Sequence, residues 1–437
     1  MTKQIIITLL FYLMLFSSVN AEISVKEVLP GGTTVITQNI NSSEIASFTI
    51  LIKLGVYDEE SYAQGIRAFL TELIKEKIKN EKTEQGTSLI ELRGVSANTN
   101  TEPDYISFTF VCKSGDLPEI LNITLKAIAN PTGDKTVYDS AKLKYKEKYK
   151  DINGIIDNIY SLFLASFYSY HPYKYINQYS LSTIDRMSIE KLADFTQKTF
   201  SQDRITVSLS GNFNRDKAID IIKTNFESLD VAQKKNNAQI QWEPRSSEKQ
   251  MFLSALSNRS WLLIGYSFPS YSSPDYPELL IAKEIIGEGF NSKFWIELRE
   301  KNGYAYELGA IAPPLSGPAH VMFYVILQTK NVLNARKIAY EIIENIKREG
   351  VTDKELAIAK EKILGSLLLK RESTANFSLD TAVSEAIGEN YKVEMNLRKD
   401  VLQVTKEDVK RGVNKYFKDP VIIIVRPPGL YIKDTYL

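Results

Sequence analysis

The 437-residue sequence holds two histidines, one cysteine and almost no net charge, and each scarcity excludes something. His171 and His320 lie in opposite halves, without the i, i+3 or i, i+4 spacing that usually brings a histidine pair to a metal. A zinc site of two histidines and a carboxylate would need distant segments to meet. Both stand beside prolines or small residues, in SYHPYKY and SGPAH, and read as turn or surface histidines. The single cysteine, Cys112, can form no internal disulfide, and inside YISFTFVCKS it reads as a buried core thiol. Lys plus Arg (54) balance Asp plus Glu (53), and a net charge of +1 leaves no electrostatic footprint for nucleic acid. After the first segment no apolar run approaches the length of a membrane helix, so no stable membrane insertion is expected.

What is present begins with MTKQIIITLLFYLMLFSSVNAE. Lys3, the apolar run from Ile5 to Phe16 and the small residues Val19 and Ala21 read as a secretory signal cut after Ala21. The mature chain is therefore expected to be exported, to a bacterial periplasm. The remainder repeats itself. MSIEKLADFTQKTFSQDRITVSL, from Met187, matches VTKEDVKRGVNKYFKDPVIIIV, from Val404, 217 positions later. Lys146-Glu147-Lys148 and Lys360-Glu361-Lys362 stand 214 positions apart. Two matches in nearly one register argue for a duplicated domain. The expected division is a signal over 1–21, a domain over 22–231, a polar linker over 232–245 and a second domain over 246–437. ASFTILIKL, DYISFTFVC and WLLIGYSF alternate or run apolar as strands do, amphipathic helices follow them, and T-D-K-E from Thr352 is a capping box. The expected fold class is α+β: two homologous domains, each a mainly antiparallel sheet with helices packed on one face.

The order of VLPGGTTVITQN, FTILIKLGVYDEESYAQGIRAFLTELI, YKEKYKDINGIIDN, FYSYHPY and IIGEGFNSKFWIELREKNGYAYELGA resembles the pitrilysin/insulinase-type metallopeptidases, the inverzincins. It is most similar to their small two-domain members, related to the mitochondrial processing peptidase. Active members carry H-x-x-E-H where this chain has Ala68-Phe69-Leu70-Thr71-Glu72. Two histidines four apart on one helix face offer nitrogens to one zinc, and the glutamate between them polarises its water. Ala68 has no donor atom, Thr71 is far too weakly basic to replace the glutamate, and Glu72 offers only a carboxylate. The resemblance places Glu147 about where a third ligand, a glutamate on a later helix, would sit, with nothing to complete. Ile66, Phe69, Leu70, Leu73 and Ile74 still form one apolar stripe, so the segment reads as a structural helix.

The stretch GEGFNSKFWIELREKNGYAYELGA resembles the family's C-terminal signature, a Gly-rich turn followed by L-R-E-K-x-G-x-A-Y. Arg299 and Tyr306 fall on its arginine and tyrosine, with Gly303 between them, and spacing favours Tyr306 over its neighbour Tyr304. In the family these two side chains reach across the cleft to the zinc-bearing half, bond the substrate backbone and stabilise charge developing on the scissile carbonyl. A guanidinium with fixed donors and a neutral phenol suit that task. The structural alternative is a helix-ending cation and an edge-strand aromatic. In two-chain members one subunit carries the zinc motif and the other the arginine–tyrosine pair. The resemblance thus implies a non-catalytic subunit of an exported heterodimeric zinc metallopeptidase. It would hold no cofactor itself, pair with a homologous H-x-x-E-H subunit that carries the zinc, and act on peptides. One alternative is a peptide-binding or scaffold protein of the same fold without proteolysis; another is a residual hydrolase with a different metal arrangement.

Overall fold

The computed structural model describes residues 24–59, 64–82, 86–132, 134–150, 155–175, 184–227, 229, 247–252 and 259–428. The signal segment 1–21 and the linker 232–245 lie outside them. Two sheets organise the chain. The first is built from β1 (Val25–Val28), β2 (Thr34–Asn39), β3 (Ile45–Ile52), β4 (Ser96–Thr101), β5 (Ile106–Lys113) and β6 (Ile205–Gly211), in the order β1-β2-β6-β3-β5-β4. The second is built from β7 (Ser247–Phe252), β8 (Arg259–Phe268), β9 (Ala305–Ile311), β10 (Ala319–Gln328) and β11 (Val421–Arg426), in the order β7-β11-β8-β10-β9. The pairs β2–β6 and β7–β11 are parallel, and the other pairs are antiparallel. Leaving out β1, the two sheets share one strand order with the parallel pair in the same place. That is the topology a duplicated domain leaves behind.

The helices repeat as well. The first half carries α1 (Ile66–Lys79), α2 (Leu117–Ala129), α3 (Lys135–Lys150), α4 (Ile155–Phe167), α5 (Ile189–Thr199) and α6 (Arg215–Phe226). The second carries α7 (Tyr276–Gly287), α8 (Val332–Glu349), α9 (Asp353–Arg371), α10 (Thr374–Gly388), α11 (Val393–Gln403) and α12 (Lys406–Tyr416). The repeated segments read from the sequence are α5 with β6 and α12 with β11. The capping box at Thr352 starts α9: its hydroxyl accepts from the Glu355 amide and the Glu355 carboxylate accepts from the Thr352 amide.

Pleating divides each sheet into two faces. On the first sheet, Phe48, Ile50, Phe108, Phe110, Val207 and Leu209 face the helices of their own half, and Cys112 joins that core, where burial pushes its thiol up to about 12. The opposite face carries Ser47, Thr49, Ser107, Thr109 and Ser208, all buried, and receives α10 from the second half. Thr49 bonds Ser378 at 2.9 Å and Ser47 bonds Thr374 at 2.5 Å. The second sheet receives α4 from the first half, with Phe163 and Phe167 over Gly265, where an added Cβ would lie 2.3 Å from Phe163 Cε2. Each half therefore lends one helix to the other's sheet, which is why strands such as β3 and β8 are buried on both faces.

Both histidines lie in the seam that this exchange creates, with no exposed surface. The expectation of turn or surface histidines holds for His171 only as a turn, its amide donating to the Tyr168 carbonyl, and is corrected for His320, which lies in β10; neither is at the surface. Tyr160 Oη lies 3.0 Å from His320 Nε2, and Tyr168 Oη lies 2.8 Å from His320 Nδ1 and 2.9 Å from the Pro318 carbonyl. A carbonyl only accepts, so the Tyr168 hydrogen goes to Pro318, Nδ1 of His320 donates to Tyr168, and Nε2 accepts from Tyr160. His171 Nδ1 accepts from the Tyr173 amide at 3.2 Å, which leaves Nε2–H to donate to Tyr57 Oη at 2.6 Å. Burial holds both rings neutral, pushing His171 down to about 4 and His320 to about 3. Beside them, Asp104 accepts from Tyr173 Oη at 2.6 Å and from the Ser316 amide at 2.9 Å, tying the halves together.

Candidate functional site

Helix α1 carries Ala68, Thr71 and Glu72, all buried. Ala68 packs into the first core with Phe69, Leu70 and Leu73. Thr71 Oγ1 donates to the Arg67 carbonyl one turn back, at 2.9 Å, and accepts from Thr101 of β4 at 3.0 Å. The carboxylate of Glu72 is met by two ammonium groups, Lys75 at 3.4 Å and Lys148 of α3 at 3.9 Å. One turn on, Lys144 of α3 meets the buried Glu76 at 2.5 Å. The α3 residue that faces Glu72 is thus a lysine, while Glu147 is exposed on the neighbouring face. Zinc needs three or four nitrogen, sulfur or anionic oxygen donors around one point. Here one carboxylate stands among cations, and among the described residues no group of three or more His, Cys, Asp or Glu is placed to hold a metal ion. The two histidines flank Tyr168, each ring centroid 5.5 Å from it, and their nitrogens are bonded by tyrosines and backbone rather than turned toward α1. A zinc ion does not fit the donors among the described residues.

The second half presents a different arrangement. Trp295–Lys301 is a π-type helix, a widened turn that recurs at functional sites. It ends through Gly303, whose φ of +63° is left-handed and whose amide donates to the Arg299 carbonyl at 3.1 Å. The turn delivers the chain into β9, the edge strand of its sheet. There the register shifts: Ala305 pairs with Leu327 and Glu307 with Ile326, leaving Tyr306 on a bulge without a cross-strand partner. Bulges re-aim side chains next to active sites. Tyr306 is 43% exposed, and Arg299, also exposed, donates to its backbone carbonyl. The structure thus brings Arg299 and Tyr306 together on one surface. Neither shares a hydrogen bond or ion pair with Ala68, Thr71, Glu72 or Glu147 among the described residues. Tyr304, by contrast, is half-buried and packs against the second core.

Three further residues shape this surface. The Arg299 guanidinium lies 4.4 Å from the Trp295 ring centroid. Gln328 Nε2 donates to Tyr306 Oη at 2.9 Å, and the Arg259 guanidinium lies 5.1 Å from the Tyr306 ring centroid. Trp295 stands four residues before Arg299 on a helical stretch, a spacing that could have flagged it. Arg259 and Gln328 come from β8 and β10 and carry no sequence signal. Among the described residues no carboxylate pairs with Arg299, so its charge stays available to an outside anion.

Comparison with known proteins matches both halves. A family described as Insulinase (Peptidase family M16) matches residues 34–171, and Peptidase M16 inactive domain matches residues 186–363. The chain belongs to peptidase family M16. Zinc protease PqqE of Helicobacter pylori is 21% identical over 393 residues, covering 87% of this chain and 86% of that protein. A protein named an uncharacterised zinc protease in Mycobacterium tuberculosis is 21% identical over 395 residues, covering 88% of each chain. The crystal structure of a protease from Helicobacter pylori shares the fold with a TM-score of 0.82 at 18% identity, over 93% of this chain and all of that one. That of a peptidase M16 inactive domain from Pseudomonas fluorescens gives 0.81 at 19% identity, over 92% and 98%. Within M16 this chain is of the type that lacks H-x-x-E-H. No helix among the described residues is long and apolar enough to cross a membrane.

Proposed function

We propose that this M16 chain is the non-catalytic subunit of an exported heterodimeric zinc metallopeptidase, and that it lends Arg299 and Tyr306 to the site of a homologous H-x-x-E-H partner. The observation that carries the reading is the contrast between the two halves. Helix α1 has filled its metal positions with a methyl group, a hydroxyl bonded to its own helix and an ion-paired carboxylate. The second half still exposes an arginine and a tyrosine on a bulged edge strand. Neither side chain has any chemistry to perform on its own chain's α1, so their use lies on a surface that another subunit can cover.

The roles follow from the side chains. Arg299 holds a permanent positive charge, and its fork can bond peptide carbonyls or a carboxylate. Tyr306 supplies a neutral O–H donor suited to charge developing on a carbonyl oxygen during peptide cleavage. The peptide enters as an extended strand, since open edges such as β4 and β9 accept one through main-chain bonds. The test has two parts. The purified chain should contain no stoichiometric zinc by elemental analysis and cleave no peptide alone. Capture on the tagged chain from a periplasmic extract should yield a companion bearing H-x-x-E-H. About one zinc per chain with chelator-sensitive cleavage would contradict the reading, and a self-paired chain without a companion would favour the scaffold alternative.

A further inference from the structure

We propose that Gln328 and Arg259 are positioning residues that turn the Tyr306 hydroxyl hydrogen outward, away from their own sheet and toward the bound peptide. The inference rests on the reading that Tyr306 serves a partner's site, and it assigns work to two side chains which that reading leaves idle.

A phenol oxygen has one hydrogen to give and lone pairs to receive. Gln328 Nε2 is a donor only, and it lies 2.9 Å from Tyr306 Oη. The oxygen therefore accepts on its inner side, and its hydrogen is left to point elsewhere. What lies elsewhere is solvent-facing, because the tyrosine is 43% exposed. Had a carboxylate or a carbonyl oxygen stood at this spot, the hydroxyl would bond inward and be lost to any substrate. Arg259 acts on the ring. Its guanidinium lies 5.1 Å from the ring centroid, a cation–π contact that holds the ring in place.

The backbone assembles this trio from three neighbouring strands. Arg259 and Gln328 are register partners across β8 and β10, the outermost pair of that ladder. Tyr306 sits on β9 where the register slips between Ile326 and Leu327. Without the bulge, strict alternation along β9 would send residue 306 to the face opposite to the one it now takes. Arg299, bonded to the Tyr306 carbonyl, holds the backbone of the same residue from the other side. The ring, the hydroxyl oxygen and the backbone carbonyl of Tyr306 each have one holder, and the hydroxyl hydrogen has no acceptor among the described residues.

The experiment reconstitutes the complex from each variant and the companion captured on the wild-type chain. Assembly is checked by gel filtration, and kcat and KM are read on a quenched peptide. Gln328→Met keeps the length and removes the donor. Gln328→Glu keeps the shape and replaces the donor with an acceptor, which draws the Tyr306 hydrogen inward. A packing role predicts that Glu, the closer isostere, is the milder change. The hydroxyl-orienting role predicts the reverse: kcat falls about 10-fold in Gln328→Met and approaches the roughly 100-fold loss of a deleted oxyanion donor in Gln328→Glu, with KM unchanged. Arg259→Leu should slow turnover by about 2- to 5-fold, the size of an exposed cation–π contact, and Arg259→Lys should restore most of it. If Tyr306→Phe is slow while Gln328→Glu is as fast as wild type, or faster than Gln328→Met, this proposal falls and the reading of Tyr306 stands. If Tyr306→Phe itself is fully active, both fall together.

Discussion

Arg299 and Tyr304 test the surface residue by residue. Arg299→Lys keeps the charge but loses the fork that reaches the Tyr306 carbonyl while stacking on Trp295, so it should slow the reconstituted complex rather than preserve it. Tyr304→Phe should be mild in the same assay, because Tyr304 contributes a half-buried ring to the core and stands off the exposed surface. Wild-type turnover with Arg299→Lys would reduce that arginine to a helix-ending cation. The sequence singled out Ala68, Thr71, Glu72, Arg299 and Tyr306, because a motif is a local spacing that survives reading in one dimension, and the structure sets the first three on one helix and the last two against each other. Lys148 beside Glu72, and Gln328 and Arg259 around Tyr306, were not singled out. Each is brought to its partner by strand pairing or helix packing rather than by local spacing, and lysine, glutamine and arginine are commonplace surface residues. The histidines failed for the same reason: Tyr57 and Tyr160, which bond them, lie 114 and 160 positions away.

At the scale of elements, the sequence announced the helices and the apolar strands but not where α4 and α10 would go. Periodicity shows that a helix has a face to bury, and says nothing about which sheet receives it. Helix α10, TANFSLDTAVSEAIG, is buried through Ser378, Thr381, Ala382, Val383 and Ser384 and has no clean apolar stripe at all. It suits the hydroxyl-lined face of the first sheet. Strand β4, SANTNT, has almost no apolar residues and gives no strand signal, since it is an exposed edge with pairing on one side. The α4 contact can be tested directly. Gly265→Ala would place a Cβ 2.3 Å from Phe163 Cε2 and 3.2 Å from Phe167 Cδ2. Overpacking of that kind typically costs about 1–3 kcal/mol, which urea unfolding should show as a lower midpoint. An unchanged midpoint would mean that α4 does not lie on this sheet as described.

At the scale of the whole molecule, the two halves close over His171 and His320 in neutral form, so stability should depend on pH in a defined direction. In the unfolded chain these rings take up protons below about 6.5. In the folded chain they resist down to about 4 and about 3. Between those limits the unfolded state binds more protons, so stability is complete above about pH 6.5 and falls as the pH drops. Each histidine contributes a slope of about 1.4 kcal/mol per pH unit in that window. Glu278, pushed up to about 7 chiefly by burial, acts in the opposite sense between its ordinary value and 7, so the histidine effect is best read as a difference. Replacing His320 by glutamine, which can also bond both tyrosines, should flatten the unfolding free energy against pH between about 6.5 and 4 relative to wild type. Parallel curves for the two proteins would show that His320 is not held neutral in the seam.

In the proposed division of labour, this closed molecule lends Arg299 and Tyr306 to a partner, and its described residues offer no group of three or more His, Cys, Asp or Glu to a metal. The measurement that addresses this division most directly is the turnover of a quenched peptide, at saturation, by the zinc-bearing companion alone, with the wild-type chain, and with Tyr306→Phe. The companion alone should be nearly inert. The wild-type chain should activate it, and Tyr306→Phe should assemble normally yet lower kcat on the order of 10²- to 10³-fold, the loss expected for one donor to a developing oxyanion. Equal turnover with wild-type and Tyr306→Phe chains, or full activity of the companion by itself, would contradict the account.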